Sequence, residues 1–491
     1  MAEKLRVLIA AAEAAPFAKA GGLADVVGAL PAALAKLDVD ARVIVPRYGD
    51  LREAERIRWK ADLGRIPLEI YTFGADLWEA ELPGSSVPIY FVGNSDFFSR
   101  PGIYDDPVSG EGYWDNFQRF VFFMKAVFVA CRRIGWLPHV IHCNDSHTAL
   151  IPAYLKLVFR ADKDLARVGS LYTIHNLAYQ GRVGMDLFKL TDLPRDLTYP
   201  NGPFEYFGDL NMMKAGILFA DVINTVSPTY AREIQYSPEY GHGLETVLHS
   251  RRGDLHGILN GVDDQQWNPA TDEFIPARYS AGRLAGKAKD KSELQQACGF
   301  PVDSAIPLIG IISRLVDQKG LDLVLEALPQ ITDMNVQMVL LGSGQKKYHQ
   351  AFQDAARRFP QRLSANFGFD DKLAHWIEAG SDMFLMPSRY EPCGLNQMYS
   401  LRYGTVPIVR HTGGLADTVK DYHQDPQGNG FKFFSYSSRE MLEAMRRAMF
   451  AFQDKTGWRA LMRRGMAEDF SWKKSAVRYK ELYQLVIGKM R

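Results

Sequence analysis

Short apolar runs alternate with amphipathic stretches along most of the chain. Residues 5–11 form a run continuous enough to predict a buried strand, and over 22–37 the positions Leu23, Val26, Val27, Leu30 and Leu34 recur at helical spacing. The pattern then predicts a strand over 41–46, hairpin-like strands over 66–92 and a long aromatic-rich helix over 113–134. A strand over 140–142, a helix over 147–159 and strands over 170–175 and 222–226 follow. Such β-α-β alternation predicts a mostly parallel sheet with helices on both faces.

Turn chemistry interrupts the pattern at Gly257-Ile-Leu-Asn-Gly-Val-Asp263 and at Trp267-Asn-Pro-Ala-Thr-Asp272. Beyond it the alternation restarts, with strands over 308–313, 337–341, 383–387, 406–409 and 430–433. Helices over 321–328, 346–358, 393–403 and 415–419 lie between them, and three helices close the chain. The economical expectation is an α/β fold of two doubly wound Rossmann-like domains. Sheets of this kind bind ligands outside the carboxyl ends of their strands, so two facing sheets place a central cleft between them. The expected division is 1–256, 257–468 and 469–491, with the last helix (473–490) crossing back to the first domain and a hinge near Asn260–Asp263.

Composition narrows the class. With 47% hydrophobic and 23% charged residues the chain of 491 reads as an ordinary globular protein, which excludes collagen-like and long disordered sequences. Fifty-eight Lys and Arg against 57 Asp and Glu leave +1, so no global field points to nucleic acid or an anionic membrane. Any phosphate-binding cations must be placed locally. The four cysteines, Cys131, Cys143, Cys298 and Cys393, include no C-x-x-C pair, which argues against a disulfide framework or zinc ribbon. No apolar stretch of signal-peptide length opens the chain. The best membrane-like window, 120–130, contains Lys125. The expected location is the cytoplasm.

The candidate chemistry sits where strands end. After the first strand, Lys19-Ala-Gly21-Gly22-Leu opens a helix with Asp25 in its first turns. Paired glycines admit a close ligand, and a helix N-terminus offers N–H groups to an anion. The loop lacks the spacing of dinucleotide and phosphate-loop motifs, and a tight turn with a solvated lysine explains it equally well. In the second half, Arg314 and Lys319 straddle one loop before a helix, so both can converge on a diphosphate. The alternative is a loop of solvated cations. In Pro387-Ser-Arg-Tyr-Glu391-Pro392-Cys393-Gly394-Leu395, Pro392 suits a first helical position. Glu391 would then either cap that helix or bind a polar ligand, while the amides of Cys393, Gly394 and Leu395 face phosphate. His175 ends a strand, where a structural histidine is the commoner outcome. The His142–His147 stretch fits no familiar zinc spacing, and Asp38-Val-Asp40 and Asp162-Lys-Asp164 read as solvated turns rather than a metal site.

Together these residues resemble one family. Lys19-Ala-Gly-Gly-Leu23, the His-x-x-Asp-x-His of 142–147, Thr173-Ile-His-Asn176, Gly257–Asp263, Ser313-Arg-Leu with Lys319-Gly320, and Ser388-Arg-Tyr-Glu-Pro-Cys-Gly-Leu395 are similar to motifs of bacterial glycogen synthases and plant starch synthases. They run in order from the first strand to about Phe434. The resemblance implies a retaining glycosyltransferase of the two-domain GT-B fold, transferring glucose from ADP-glucose to the non-reducing end of an α-1,4-glucan such as glycogen, starch or a maltooligosaccharide. It implies no metal and no cofactor, ADP-glucose being a substrate.

By position, the resemblance assigns Lys19, Gly21 and Gly22 to the donor phosphates from one side, and Arg314 and Lys319 from the other. His175 would contact the transferred glucose, Glu391 would bind sugar hydroxyls, and Cys393, Gly394 and Leu395 would supply amides. Asn176 and Asn260 would line the sugar pocket, with Asp25 and Asp145 on its sugar and acceptor side. Phe369 falls where relatives stack adenine, and Tyr104 in the acceptor region. Two departures stand out: Ser146 replaces the family's Trp, and Tyr399 occupies a position where the wider superfamily carries a ribose-binding Glu. Rival expectations are a GT-B enzyme using UDP-glucose or a small acceptor, a phosphorylase, or a catalytically silent glucan-binding module.

Overall fold

In the first half of the chain the apolar runs pair into one large sheet, in a computed structural model that describes residues 4–490. Its strands are β1 (Leu5–Ala10), β2 (Val39–Pro46), β3 (Arg58–Leu68), β4 (Tyr71–Glu81), β5 (Pro88–Gly93), β6 (Val140–Asn144) and β7 (Gly169–Ile174). A small antiparallel sheet of β8 (Arg182–Gly184), β9 (Glu205–Tyr206) and β10 (Asp209–Asn211) intervenes before β11 (Val222–Thr225) and β12 (Leu255–Gly257) complete it. The order is β12-β11-β7-β6-β1-β2-β5-β4-β3, parallel throughout except that β4 runs antiparallel to both neighbours. Strands β6, β7 and β11 are buried at every position, as a sheet covered on both faces requires.

The second half builds β13 (Leu308–Ile312), β14 (Gln337–Gly342), β15 (Leu363–Phe367), β16 (Met383–Met386), β17 (Val406–Arg410) and β18 (Phe431–Phe433). These form an all-parallel sheet in the order β15-β14-β13-β16-β17-β18. Both sheets are doubly wound. From β1 the chain goes first to β2 and returns on the other side through β6; from β13 it goes to β14 and returns through β16. Each sheet therefore has a switch point, at β1/β6 and at β13/β16, and ligands bind outside the carboxyl ends of strands at such points.

The chain divides into two units. One takes the chain up to Val226, Ala231–Gly261 and the chain from Trp472; the other takes Ser227–Tyr230 and Val262–Ser471. The final helix, Trp472–Met490, belongs to the first unit. Its Tyr479, Tyr483 and Val486 share an apolar cluster with Val7, Leu30 and Val222, and it packs on helix Gly22–Ala35. The second unit has its own core, centred on Ile309, Leu321, Val324, Leu340, Leu385 and Met445. Among the described residues no helix is long and apolar enough to cross a membrane.

Several elements differ from the expectations. The helix expected over 147–159 splits into a short 3-10 turn, Ser146–Thr148, and helix Ile151–Leu157, because Pro152 fits only the first turn of a helix. Strand β15 and helix Asp371–Gly380 gave no signal: β15 is an edge strand with one buried residue among five. Helix Leu321–Asp333 runs on through Pro329, carried by the buried stripe Leu323, Val324, Ala327 and Ile331. Asp40 is no solvated turn; it lies in β2 and accepts the Trp136 indole N–H at 2.8 Å.

Candidate active site

In the second unit the loops after β13 and β16 are stitched together. Lys319 Nζ donates to Glu391 Oε2 at 2.6 Å, and the Ser388 hydroxyl donates to the same oxygen at 3.0 Å. Gln318 completes the seam: its carbonyl accepts the Arg389 N–H at 2.8 Å and its side-chain amide donates to the Tyr390 carbonyl at 3.3 Å. The loops approach so closely that a Cβ on Gly320, which sits at φ 69°, would lie 2.0 Å from the Pro387 carbonyl oxygen. Only glycine combines that conformation with that clearance. Arg314 leaves the same loop exposed to solvent, with one nitrogen 3.5 Å from Gln318 Oε1. Two cations and one carboxylate thus stand at the switch point of this sheet.

The helix that follows begins at Asn396, not near Pro392. Glu391 is therefore not a capping residue at a helix N-terminus, and Cys393, Gly394 and Leu395 form a connecting loop with Gly394 at φ 71°. Gln397, fully buried, gathers that loop by donating to the Cys393 and Gly394 carbonyls at 3.0 and 3.1 Å. The helix starts late because a left-handed residue cannot continue a right-handed turn. Phe369 follows β15 and Gly368, with 91% of its surface exposed, so its ring face is open at the carboxyl end of the sheet.

In the first unit the loop after β1 is organised by a residue that sequence reasoning passed over, Glu13. Its carboxylate is 3% exposed and accepts the N–H groups of Ala20 and Gly21 at 2.6 and 2.7 Å and the Tyr104 hydroxyl at 2.6 Å. Burial pushes the Glu13 carboxyl up, against the pull of these three donors. The Gly21 amide, expected to face a phosphate, is thus already engaged, and so is the Tyr104 hydroxyl expected on the acceptor side. A Cβ at Gly21 would meet nothing within 4 Å, so space rather than packing distinguishes this glycine. Gly22 opens the helix, and Lys19 pairs with Asp25 at 2.7 Å in its first turns.

After β6, Asp145 takes φ 55°, a conformation L-residues seldom hold without support. The support is visible: its Oδ1 accepts the His175 N–H at 2.8 Å and the Asn176 N–H at 3.4 Å, tying the loop after β6 to the loop after β7. Burial pushes Asp145 up to about 7, and the two amides oppose that rise. Burial also lowers His175 to about 3, so its imidazole is neutral near pH 7 while Nε2 meets Asn144 Oδ1 at 2.9 Å. The Asn176 side chain accepts from Ala178 in a local turn. Asn260 is 6% exposed, and its Oδ1 has no hydrogen-bond partner among the described residues, an acceptor a ligand hydroxyl would satisfy. His142 is structural, held between Tyr483 and Thr173, and no group of three His, Cys, Asp or Glu is placed to hold a metal among the described residues.

Each unit therefore brings its own expected residues to the carboxyl ends of its strands: Lys19, Gly21, Gly22, Asp25, Tyr104, Asp145, His175 and Asn176 in the first, Arg314, Lys319, Glu391 and Cys393–Leu395 in the second. Glu13, Gln318 and Ser388 were missed as partners. Glu13 alone stood close enough in sequence to the glycine pair for its carboxylate to have suggested a role.

Comparison with known proteins bears on this arrangement. A family model described as the starch synthase catalytic domain matches residues 6–250, and one described as glycosyl transferases group 1 matches 299–450. A glycogen synthase of an Anaeromyxobacter species is 47% identical over 482 residues, covering 98% of this chain and 99% of its own. Glycogen synthase 2 of Geobacter sulfurreducens is also 47% identical, over 99% of this chain and 100% of its own. Among solved structures, the catalytic domain of starch synthase IV from Arabidopsis thaliana, bound to ADP and acarbose, superposes with a TM-score of 0.91 at 34% identity, covering 99% of this chain and 100% of that one. Two doubly wound sheets, each with its polar cluster at the switch point, and relatedness along nearly the whole length lead to one conclusion: the chain belongs to the glycogen and starch synthase family of GT-B glycosyltransferases.

Proposed function

We propose that the protein transfers glucose from ADP-glucose to the non-reducing end of an α-1,4-glucan with retention of anomeric configuration, in the cytoplasm and without a metal. The observation that carries the reading is the Lys319–Glu391 pair beside Arg314 at the β13/β16 switch point. Breaking the anomeric bond puts positive charge on the sugar and adds negative charge to the departing diphosphate. Fixed cations aimed at that growing charge stabilise the transition state more than the ground state. Arg314 and Lys319 take that role in the second unit, and Lys19 is the first unit's candidate cation for donor phosphate.

Glu391, anchored by Lys319 and Ser388, keeps Oε1 for sugar hydroxyls. Neutral His175 accepts or donates to the glucose without competing for the diphosphate, and its carbonyl faces the sugar's developing charge. Asn260 Oδ1 and Asn176 meet sugar hydroxyls, Phe369 stacks on adenine, and Cys393–Leu395 offer amides. Asp25 and Asp145 act by holding Lys19 and the His175 loop. Gly21 contributes clearance for the donor, not its amide. No second carboxylate stands beside Glu391 in its loop, so the acceptor proton passes to a donor phosphate oxygen on the same face and no glucosyl-enzyme forms.

The test is an assay with glycogen in the presence of a chelator, comparing ADP-glucose with UDP-glucose and reading the anomeric configuration of the new bond. Retained α-linkage from ADP-glucose is the expected result. Faster transfer from UDP-glucose, a need for added metal, or a trapped covalent adduct would each overturn its part of the proposal.

A further inference from the structure

Arg119 is wholly buried in helix Asn116–Arg133. Four aromatic rings surround its guanidinium, with centroids at 5.1 Å for Tyr113, 5.4 Å for Phe98, 5.7 Å for Phe120 and 5.8 Å for Tyr48. No carboxylate pairs with it among the described residues; the nearby Asp115 is taken by Arg100. Nε and Nη2 have no hydrogen-bond partner among those residues either. A buried guanidinium in this state is expensive, and an apolar residue of similar shape commonly serves a core as well or better. Filling space does not account for an arginine here.

Its one working nitrogen does. Nη1 donates to the Ile103 carbonyl at 3.1 Å and to Asn116 Oδ1 at 2.8 Å. The Asn116 amide nitrogen donates to the Tyr104 carbonyl at 2.8 Å, so two consecutive residues, 103 and 104, are held from one point. Tyr104 stacks on His147 with ring centroids 4.6 Å apart, and its hydroxyl reaches Glu13. Glu13 in turn holds the Ala20 and Gly21 amides. The chain of contacts runs from a helix interior to the glycine loop without a gap.

We infer that Arg119 is a positioning residue for the donor loop, fixing Tyr104 through Asn116 and the Ile103 carbonyl so that Glu13 gathers the Ala20 and Gly21 amides in one geometry. Its consequence for turnover rests on the donor role proposed for that loop; its consequence for loop order does not.

The experiment compares Arg119→Met, Arg119→Lys, Asn116→Ala and Tyr104→Phe in the full chain. Each is measured by thermal melting, by hydrogen exchange of the segment containing Ala20 and Gly21 without substrate, and by kinetics. Arg119→Met should keep its melting temperature, as an apolar replacement of an unpaired buried charge does, while that segment exchanges about tenfold faster. The KM for ADP-glucose should rise about tenfold with kcat changed less than about threefold, and Arg119→Lys should recover part of the loss. The double variant Arg119→Met/Tyr104→Phe should be no worse than Tyr104→Phe alone, because both act on one path. Unchanged exchange in a folded Arg119→Met protein, or additive effects in the double variant, would overturn the inference. If Arg119→Met does not fold, Asn116→Ala decides by the same two readouts, with unchanged exchange and KM counting against it. A wild type inactive on ADP-glucose would instead defeat the proposed function and leave the exchange result standing.

Discussion

Both units present a lysine and a carboxylate at the switch point of a doubly wound sheet, but the carboxylates do different work. In the second unit Glu391 holds side chains, Lys319 and Ser388, and the lysine–glutamate pair is largely buried, with 17% and 7% of the side chains exposed. In the first unit Glu13 holds two backbone N–H groups of its own loop together with the Tyr104 hydroxyl, and Asp145 holds two N–H groups of the neighbouring loop, while Lys19 pairs with Asp25 in a more open setting, 45% and 26% exposed. An ion pair near solvent is worth little, whereas removing one partner of a buried pair strands the other. The second unit therefore spends its carboxylate on aiming charge, and the first on shaping a loop.

The largest effect should come from removing that aimed charge. Arg314→Ala and Lys319→Ala are each expected to lower kcat by about 10²–10³, the scale for losing one preorganised transition-state donor. Their melting temperatures should part company. Arg314 is exposed and its loss should leave stability nearly unchanged, while loss of Lys319 strands buried Glu391 and should lower the melting temperature. Turnover near the wild-type rate in both variants would remove the distinction between the units.

The glycines of the two loops sharpen the contrast. Gly320→Ala forces a side chain into φ 69° and against the Pro387 carbonyl oxygen, and should destabilise the fold by about 2–4 kcal/mol. Gly21→Ala meets nothing within 4 Å and sits in extended backbone, so its melting temperature should hold while the KM for ADP-glucose rises severalfold, on the order of 1 kcal/mol. Denaturant titration of both proteins, with donor kinetics on the second, checks this. A Gly21→Ala protein that melts early yet binds donor normally would make the two glycines alike.

What could be read from the sequence divides along the same line. Strand ends and motif order put Lys19, His175, Arg314, Lys319 and Glu391 at carboxyl-end loops, because continuous apolar runs mark buried parallel strands and fix where those loops begin. Pairings across the fold were not legible. Nothing local says that Glu13 meets Tyr104, 91 residues away, or that Gln318 meets Tyr390, 72 away. The start of helix Asn396–Arg402 was misplaced for a related reason: Pro392 permits a helix start, and the left-handed Gly394 that delays it is a consequence of Gln397 folding back on the loop. Half-buried β15 lacked the apolar run by which its central neighbours announce themselves.

A last expected effect concerns Asp145, where a carboxylate serving amides without a cation should show itself in pH dependence. Burial raises Asp145 from 3.8 to about 7, so between those values the folded protein binds a proton that the unfolded chain has released. Stability from this group is complete below the unfolded value and is lost as pH rises through about 7. Asp145→Asn keeps an Oδ1 to accept the His175 N–H but has no proton to lose. The variant should therefore gain on the wild type in melting temperature as pH is raised from about 4 to about 8, by an increment that levels off above the folded value. His175, lowered to about 3 by burial, destabilises both proteins alike as pH falls below 6.5 and cancels from the difference. A difference in melting temperature that stays flat across the range would mean that Asp145 remains ionised throughout, with its two amides outweighing burial, and the first unit's carboxylates would then need no cation to stay charged.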